Sequence, residues 1–152
     1  MKNLLKIVFL ALITSNCCQA QFGEDSEKKT KQQTFKIAVL KTNTYRGFES
    51  FKPAKLSTGE LDLLEYFLLE RIEYYNKYKA YQKISLKNYN RQYAAAINPK
   101  GEKVVFINCF CEHRATNWKK VLNEVDDGGN CFFTLNVNLT LRTAEELDVN
   151  GI

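Results

Sequence analysis

The stretch Ser57–Tyr78, STGELDLLEYFLLERIEYYNKY, decides the fold. Ser57 and Glu60 are spaced as a capping box, in which the serine oxygen accepts from the Glu60 backbone N–H and the carboxylate reaches back to the Ser57 N–H. Leu56 and Leu61 stand where a hydrophobic staple needs them. Leu61, Leu64, Leu68, Ile72 and Tyr75 then recur at helical spacing, with Glu70, Arg71 and Glu73 between them as solvent-facing charges. The spacing predicts a helix over Thr58–Tyr78. Such a stripe must be buried against another element, and the rest of the chain is expected to supply it.

Downstream the period changes from 3.6 to two. Asn130–Leu141, NCFFTLNVNLTL, sets Cys131, Phe133, Leu135, Val137, Leu139 and Leu141 against Phe132, Thr134, Asn136, Asn138 and Thr140. That is a strand with one packed and one wet face. Asn88–Ile97 and Lys103–Cys111 alternate as well, and Asn98-Pro99-Lys100-Gly101 between them is a turn, so they form an antiparallel hairpin. Upstream, Thr34–Leu40 is a first strand with Phe35, Ile37 and Val39 on one face, followed by a loop over Thr42–Lys55. Ala115–Val125 fits a short amphipathic helix through Trp118, Val121, Leu122 and Val125. It also fits a strand pairing across Asp127-Gly128-Gly129, and hairpin chemistry at the glycines favours the strand slightly.

The expected class is α+β: one long helix packed on a curved antiparallel sheet of four or five strands, in two layers. That element order resembles cystatin-like folds over roughly residues 34–152. The cystatin inhibitory motifs are not present, so the likeness implies architecture and no activity.

The N-terminal twenty residues read as a targeting segment. Lys2 and Lys6 give a basic start, Ile7–Ile13 a short apolar run, and Ser15–Ala20 a small polar end. The run is too short to span a bilayer, which takes about 20 apolar residues. Cys18 and Ala20 suit signal peptidase, which leaves Gln21 first. The competing route is a lipid anchor on Cys17 or Cys18, preceded by a poor lipobox with Asn16 at a place normally held by Gly or Ala. Residues 1–20 are thus expected to be a signal peptide and 21–33 a charged flexible linker, leaving 34–152 as a single domain. The 152 residues fit one domain. The formal charge of +5 falls to +3 when Lys2 and Lys6 leave. A charge that small, without a basic stripe, gives no reason to expect a nucleic-acid partner.

Export places the cysteines in an oxidising compartment. Of the five, Cys109, Cys111 and Cys131 remain after cleavage. A bridge from Cys131 to Cys109 or Cys111 is the expectation, provided the two strands are neighbours; a strand at 115–125 inserted between them would forbid it. The competing reading is zinc on Cys109, Cys111, His113 and Cys131. The donor types suit it, but structural sites normally present Cys-x2-Cys from a tight knuckle. The remaining possibility is three free, buried, inert thiols. No cofactor is expected. A thiol–imidazole pair is the sole nucleophile–base combination available, since no serine sits in a Gly-x-Ser-x-Gly elbow. These cysteines fall in apolar strands, not at a helix N-terminus that would lower their pKa. Asp126 and Asp127 lack the further acidic ligands of a calcium loop.

Tyr66, Tyr74, Tyr78 and Tyr81 spread round the helix and its exit. Beside an Asn- and Thr-rich sheet surface they form a candidate protein- or glycan-binding face; the competing reading is that the rings merely cover the sheet edges. The expected function is therefore a non-enzymatic envelope protein, periplasmic or secreted, that binds an unknown protein or glycan or serves structurally. It touches a membrane only if Cys17 or Cys18 is lipidated. The alternative is a small metal- or thiol-dependent enzyme built on the Cys109/Cys111/His113/Cys131 cluster.

The string NRQYAAAIN…GEKVVFINCFC…W…DDGGNCFFTLNVNLT…VNG resembles a group of small exported proteins of uncharacterised role from Bacteroidetes-type bacteria. Cys109, Cys111, Asp127, Gly128, Gly129, Asn130, Cys131, Val149, Asn150 and Gly151 match that group's pattern. The resemblance implies a bacterial envelope setting and carries over no catalytic residue.

Overall fold

Residues 37–111 and 116–151 are described by a computed structural model; the segments expected as signal peptide and linker, Phe35 and His113 lie outside them. Strand β1 (Ile37–Leu40) leads through two 3-10 turns to β2 (Lys52–Pro53), then to helix α1 (Thr58–Lys77). The hairpin β3 (Asn90–Ile97) and β4 (Lys103–Phe110) comes next, then β5 (Phe132–Asn138), β6 (Thr143–Ala144) and β7 (Asp148–Val149). The chain is thus mixed α+β, with one α-helix among the described residues.

The seven strands form one sheet in the order β1-β3-β4-β5-β6, with β2 also on β3 and β7 also on β5. This is more than the four or five expected, because β2, β6 and β7 are two residues each, too short for an alternating pattern to register. Nor is the sheet wholly antiparallel. β1 runs parallel to β3, Ile37 facing Arg91 and Leu40 facing Ala94, because the chain crosses over through α1 and returns in the same direction.

The helix starts where the capping box places it. Ser57 N–H donates to Glu60 Oε2 (2.8 Å) and Glu60 N–H donates to Ser57 Oγ (3.3 Å). It ends at Lys77, after which Asn76 clamps the returning chain by exchanging two hydrogen bonds with the Ile84 backbone (2.7 and 2.8 Å). Leu64, Phe67, Leu68 and Ile72 are buried, with Leu61 and Tyr75 at the margins. Arg71 departs from its expected solvent-facing role: its guanidinium donates to the Ala144 carbonyl (2.8 Å) and ties α1 to β6.

On the sheet, α1 covers Tyr93, Ala95, Val105, Ile107, Cys109, Phe133, Leu135 and Val137. The opposite face was expected to be wet. It is so only towards the end of β5, where Asn136 is exposed and Thr134 and Asn138 are half-buried. In β3, and in the second half of β4, both faces are buried. Phe48 packs there on Ala94, Ala96 and Phe106, and Trp118 on Ala38, Leu40, Phe110 and Phe132.

Residues 116–125 are neither the short helix nor the strand. They turn at Asn117, whose carbonyl accepts from Lys120 N–H (2.8 Å) and Val121 N–H (3.1 Å), and no strand separates β4 from β5. Two further expectations are corrected. In β1 it is Ala38 and Leu40 that are buried; on the other face Ile37 is half-buried against the core under α1 and Val39 is 49% exposed. β5 stops at Asn138, not Leu141: the Asn138 carboxamide accepts from Leu141 N–H (3.0 Å), Arg142 takes φ 54°, and Leu141 points outward.

Candidate functional site

The ladder decides the cysteine pairing. Cys109 faces Phe133 and Phe110 faces Phe132. One step further, Cys111 N–H donates to the Cys131 carbonyl (3.0 Å), so these two residues are directly opposed just beyond the strands. Their Cα atoms are 5.1 Å apart and a disulfide joins them, within the separation a bridge requires. Cys109, the other candidate partner, is a free thiol wholly buried under α1. Burial pushes its pKa well above the ordinary thiol value, and Arg91 opposes that shift only in part. The four-donor set is not assembled here. Two of its sulfurs are joined to each other and His113 lies outside the described residues; among the described residues no three His, Cys, Asp or Glu side chains gather closely enough for a metal.

Beside Cys109 lies a charged cluster. Arg91 sits directly opposite it on β3 and is 1% exposed. Its Nε donates to Glu65 Oε1 on α1 (2.8 Å), and its Nη1 donates to the carbonyls of Leu86 (3.1 Å) and Tyr89 (3.0 Å). The Tyr93 hydroxyl donates to the same Glu65 oxygen. Burial, with Glu65 alongside, raises the Tyr93 pKa far beyond its ordinary value. Burial also lifts Tyr89 to about 12, while its hydroxyl donates to the Asn130 carbonyl (2.6 Å). Neither phenol nor the Cys109 thiol ionises near neutral pH, so none of these groups is poised as a base or nucleophile. What the cluster does is lock α1 onto β3 through a neutralised buried guanidinium. The sequence carried one signal of it: Arg91 shares a strand face with Tyr93 and Ala95, and Glu65 adjoins the apolar stripe between Leu64 and Leu68.

The tyrosines divide. Tyr74, Tyr78 and Tyr81 are 56, 65 and 85% exposed. Tyr74 and Tyr78 meet edge-to-face at 5.1 Å and, with Arg71, Tyr75, Lys79, Glu146 and Leu147, line a cleft of about 170 Å³. Lys77 lies over the Tyr78 ring (5.5 Å) and Lys79 over the Tyr75 ring (5.3 Å). Tyr66, also exposed, stands two turns earlier and rotated by about 80° from Tyr74. Tyr66 and Tyr74 stand on α1 and Tyr78 is its C-cap, whereas the Asn- and Thr-rich surface of β5 belongs to the sheet face away from α1. There a different aromatic set, Tyr45, Phe48 and Phe51, borders Asn136, Asn138 and Glu145 around a cleft of about 400 Å³. The sequence showed these rings only as loop residues.

The residues of the Asp-Gly-Gly-Asn-Cys and Val-Asn-Gly strings meet at one end of the sheet. Gly128 and Gly129 both take positive φ (130° and 56°), and a Cβ on Gly128 would stand 2.5 Å from the Phe132 ring. Only glycine fits this turn. Gly129 N–H donates to the Gly151 carbonyl (2.9 Å), Asn150 N–H to Phe132 O (3.0 Å), and the Asn150 carboxamide to Val125 O. The C-terminal segment thus clasps the turn that presents Cys131. No family model matches the chain, no curated protein matches it, and no solved structure matches it.

Proposed function

We propose that the chain is an exported, non-enzymatic binding module of the bacterial envelope, and that its partner, a protein or a glycan, docks on the tyrosine face at the C-terminal end of α1. The observation that carries this reading is the exposed group Tyr74, Tyr78 and Tyr81. Three large rings are exposed, and the cleft lined by two of them, Tyr74 and Tyr78, is bordered by Arg71, Lys79 and Glu146; burial of such rings against a partner yields much of the binding energy of an interface. The inaccessibility of Cys109 supports the non-enzymatic half of the reading, and the Cys111–Cys131 bridge supports export. The one α-helix among the described residues, on a mostly antiparallel sheet, supports a cystatin-like arrangement, from which the parallel β1–β3 pair departs.

A pull-down from the native envelope tests the function. Wild-type chain should retain a partner that the Tyr74→Ala/Tyr78→Ala chain loses by tenfold or more; equal retention by both refutes the tyrosine face. N-terminal sequencing of the native protein should return Gln21, or a blocked lipidated cysteine at position 17 or 18. Recovery of Met1 refutes export.

A further inference from the structure

We propose that the outer edge of β1 is a second docking site, which takes an extended, acidic peptide segment by strand addition. It is independent of the tyrosine face, and three observations converge on it.

The first is the edge itself. β1 pairs with β3 on one side, and among the described residues its other side pairs with nothing. A free strand edge presents a row of backbone donors and acceptors, which is the template for strand addition.

The second is what lies beside that edge. Val39 and Leu40 of β1 share a cleft of about 690 Å³ with Pro53, Ala54 and Leu56, the segment running from β2 into α1. A strand laid along β1 sends alternate side chains to the two faces of the sheet. An aliphatic side chain on the α1 side settles between Val39, Ala54 and Leu56. This explains why Val39, an apolar residue on a short strand, is half-exposed.

The third is charge. The cleft is rimmed by Lys41 and Lys55 and lined by no acidic residue. Neither lysine has an ion pair among the described residues, where the pairs are Arg91–Glu65 and Lys103–Glu60. Lysines often guard sheet edges against self-association. A merely guarded edge would carry the charge on the strand. Here the described residues of β1, Ile-Ala-Val-Leu, carry no charge, and the lysines frame the cleft. The complement of that frame is a strand carrying aliphatic side chains with Asp or Glu beside them.

The test is selection from a displayed library of random octapeptides on the oxidised, folded chain. Selected peptides should alternate aliphatic residues and carry Asp or Glu, and they should slow amide exchange within residues 37–40. Binding should fall at least tenfold in Lys41→Glu/Lys55→Glu, whose exposed positions leave the unfolding midpoint in place. N-methylation of alternate peptide amides should abolish it, and Tyr74→Ala/Tyr78→Ala should leave it unchanged. Any of three results overturns the proposal: no enrichment over bare support, peptides indifferent to the lysine reversals, or a dimer in sedimentation that buries β1 against a second copy.

Discussion

The sheet is covered on both faces, by different means. On one side α1 lays Leu64, Phe67, Leu68 and Ile72 on Tyr93, Ile107 and Leu135. On the other the cover is irregular chain, 42–51 and 116–131, held by side-chain amides. Gln92, wholly buried at the centre of β3, donates to the carbonyls of Trp118 and Val121 (the latter 2.8 Å) and accepts from Asn123 N–H and Asn108 Nδ2 (both 2.9 Å). Asn108 donates in turn to Asn123 O (2.9 Å), and Thr42 Oγ1 to Ala95 O (2.6 Å). A helix arrives with its backbone bonds already made and needs only an apolar stripe. A loop pressed onto a sheet brings unpaired carbonyls and N–H groups, and the sheet must answer each one.

The largest effect should come from the buried ion pair on the helix side, Arg91–Glu65. Glu65→Ala leaves the buried Arg91 guanidinium without its carboxylate and is expected to cost about 4 kcal/mol, read as the shift in urea midpoint at constant slope. Replacing both partners, Glu65→Leu with Arg91→Met, should recover most of that loss, because no unpaired charge remains. If the double replacement is as unstable as the single one, the helix face depends on the ion pair itself and the contrast between the faces weakens.

Gln92→Leu tests the other side. It keeps side-chain volume but strands the Trp118 and Val121 carbonyls and the Asn123 N–H. At roughly 1–3 kcal/mol per buried unpaired group, with some relief from water, the cost is about 3–4 kcal/mol. Amide exchange should accelerate within 116–125 and not within α1. A loss spread evenly over both would mean the two covers unfold as one unit.

This contrast also sets what was legible in advance. α1 was readable to its first residue because capping chemistry is local and its stripe periodic. The Cys131 bridge was readable because register follows from alternation, although the choice of Cys111 over Cys109 needed the pairing itself. The Gln92 tie left no pattern: an amide in an apolar strand says that it needs partners and not which backbone supplies them. The same holds for Glu65, a helix charge like Glu70 until β3 brings Arg91 against it. Segment 116–125 looked strand-like because Trp118, Leu122 and Val125 do pack, but they do so from turns that Gln92 makes tolerable, while Val121 stays exposed.

The disulfide belongs to the loop side, since its chain between Cys111 and Cys131 contains most of that cover. Cys131→Ser should cost about 3 kcal/mol, the chain-entropy value for closing a loop of about twenty residues. Peptide mapping without reduction should recover Cys109 free and Cys111 bonded to Cys131. Cys109 should resist alkylation until the protein is unfolded. A bridge between Cys109 and Cys131 would mean a ladder displaced from the register in which Cys109 faces Phe133.

The smallest effect lies at the start of α1, where two parts of one cap separate by pH. Ser57→Ala removes the oxygen that accepts from Glu60 N–H and should cost about 1 kcal/mol, checked by urea midpoint. A hydroxyl does not titrate in this range, so that cost should persist in acid. Glu60 behaves otherwise. Its carboxylate accepts from Lys103 Nζ (2.5 Å) and from Ser57 N–H (2.8 Å), and these bonds hold its pKa below the ordinary carboxylate value. A carboxyl whose folded pKa lies below its unfolded one contributes stability that is complete above the unfolded value, about 4.3. That contribution is lost as pH falls from there through the folded pKa. Glu60→Gln should therefore destabilise the chain at pH 7, and the gap to wild type should close as the pH is lowered past 4. A gap unchanged between pH 7 and pH 3 would show that the Glu60 charge contributes nothing, and that the cap at α1 rests on the Ser57 oxygen alone.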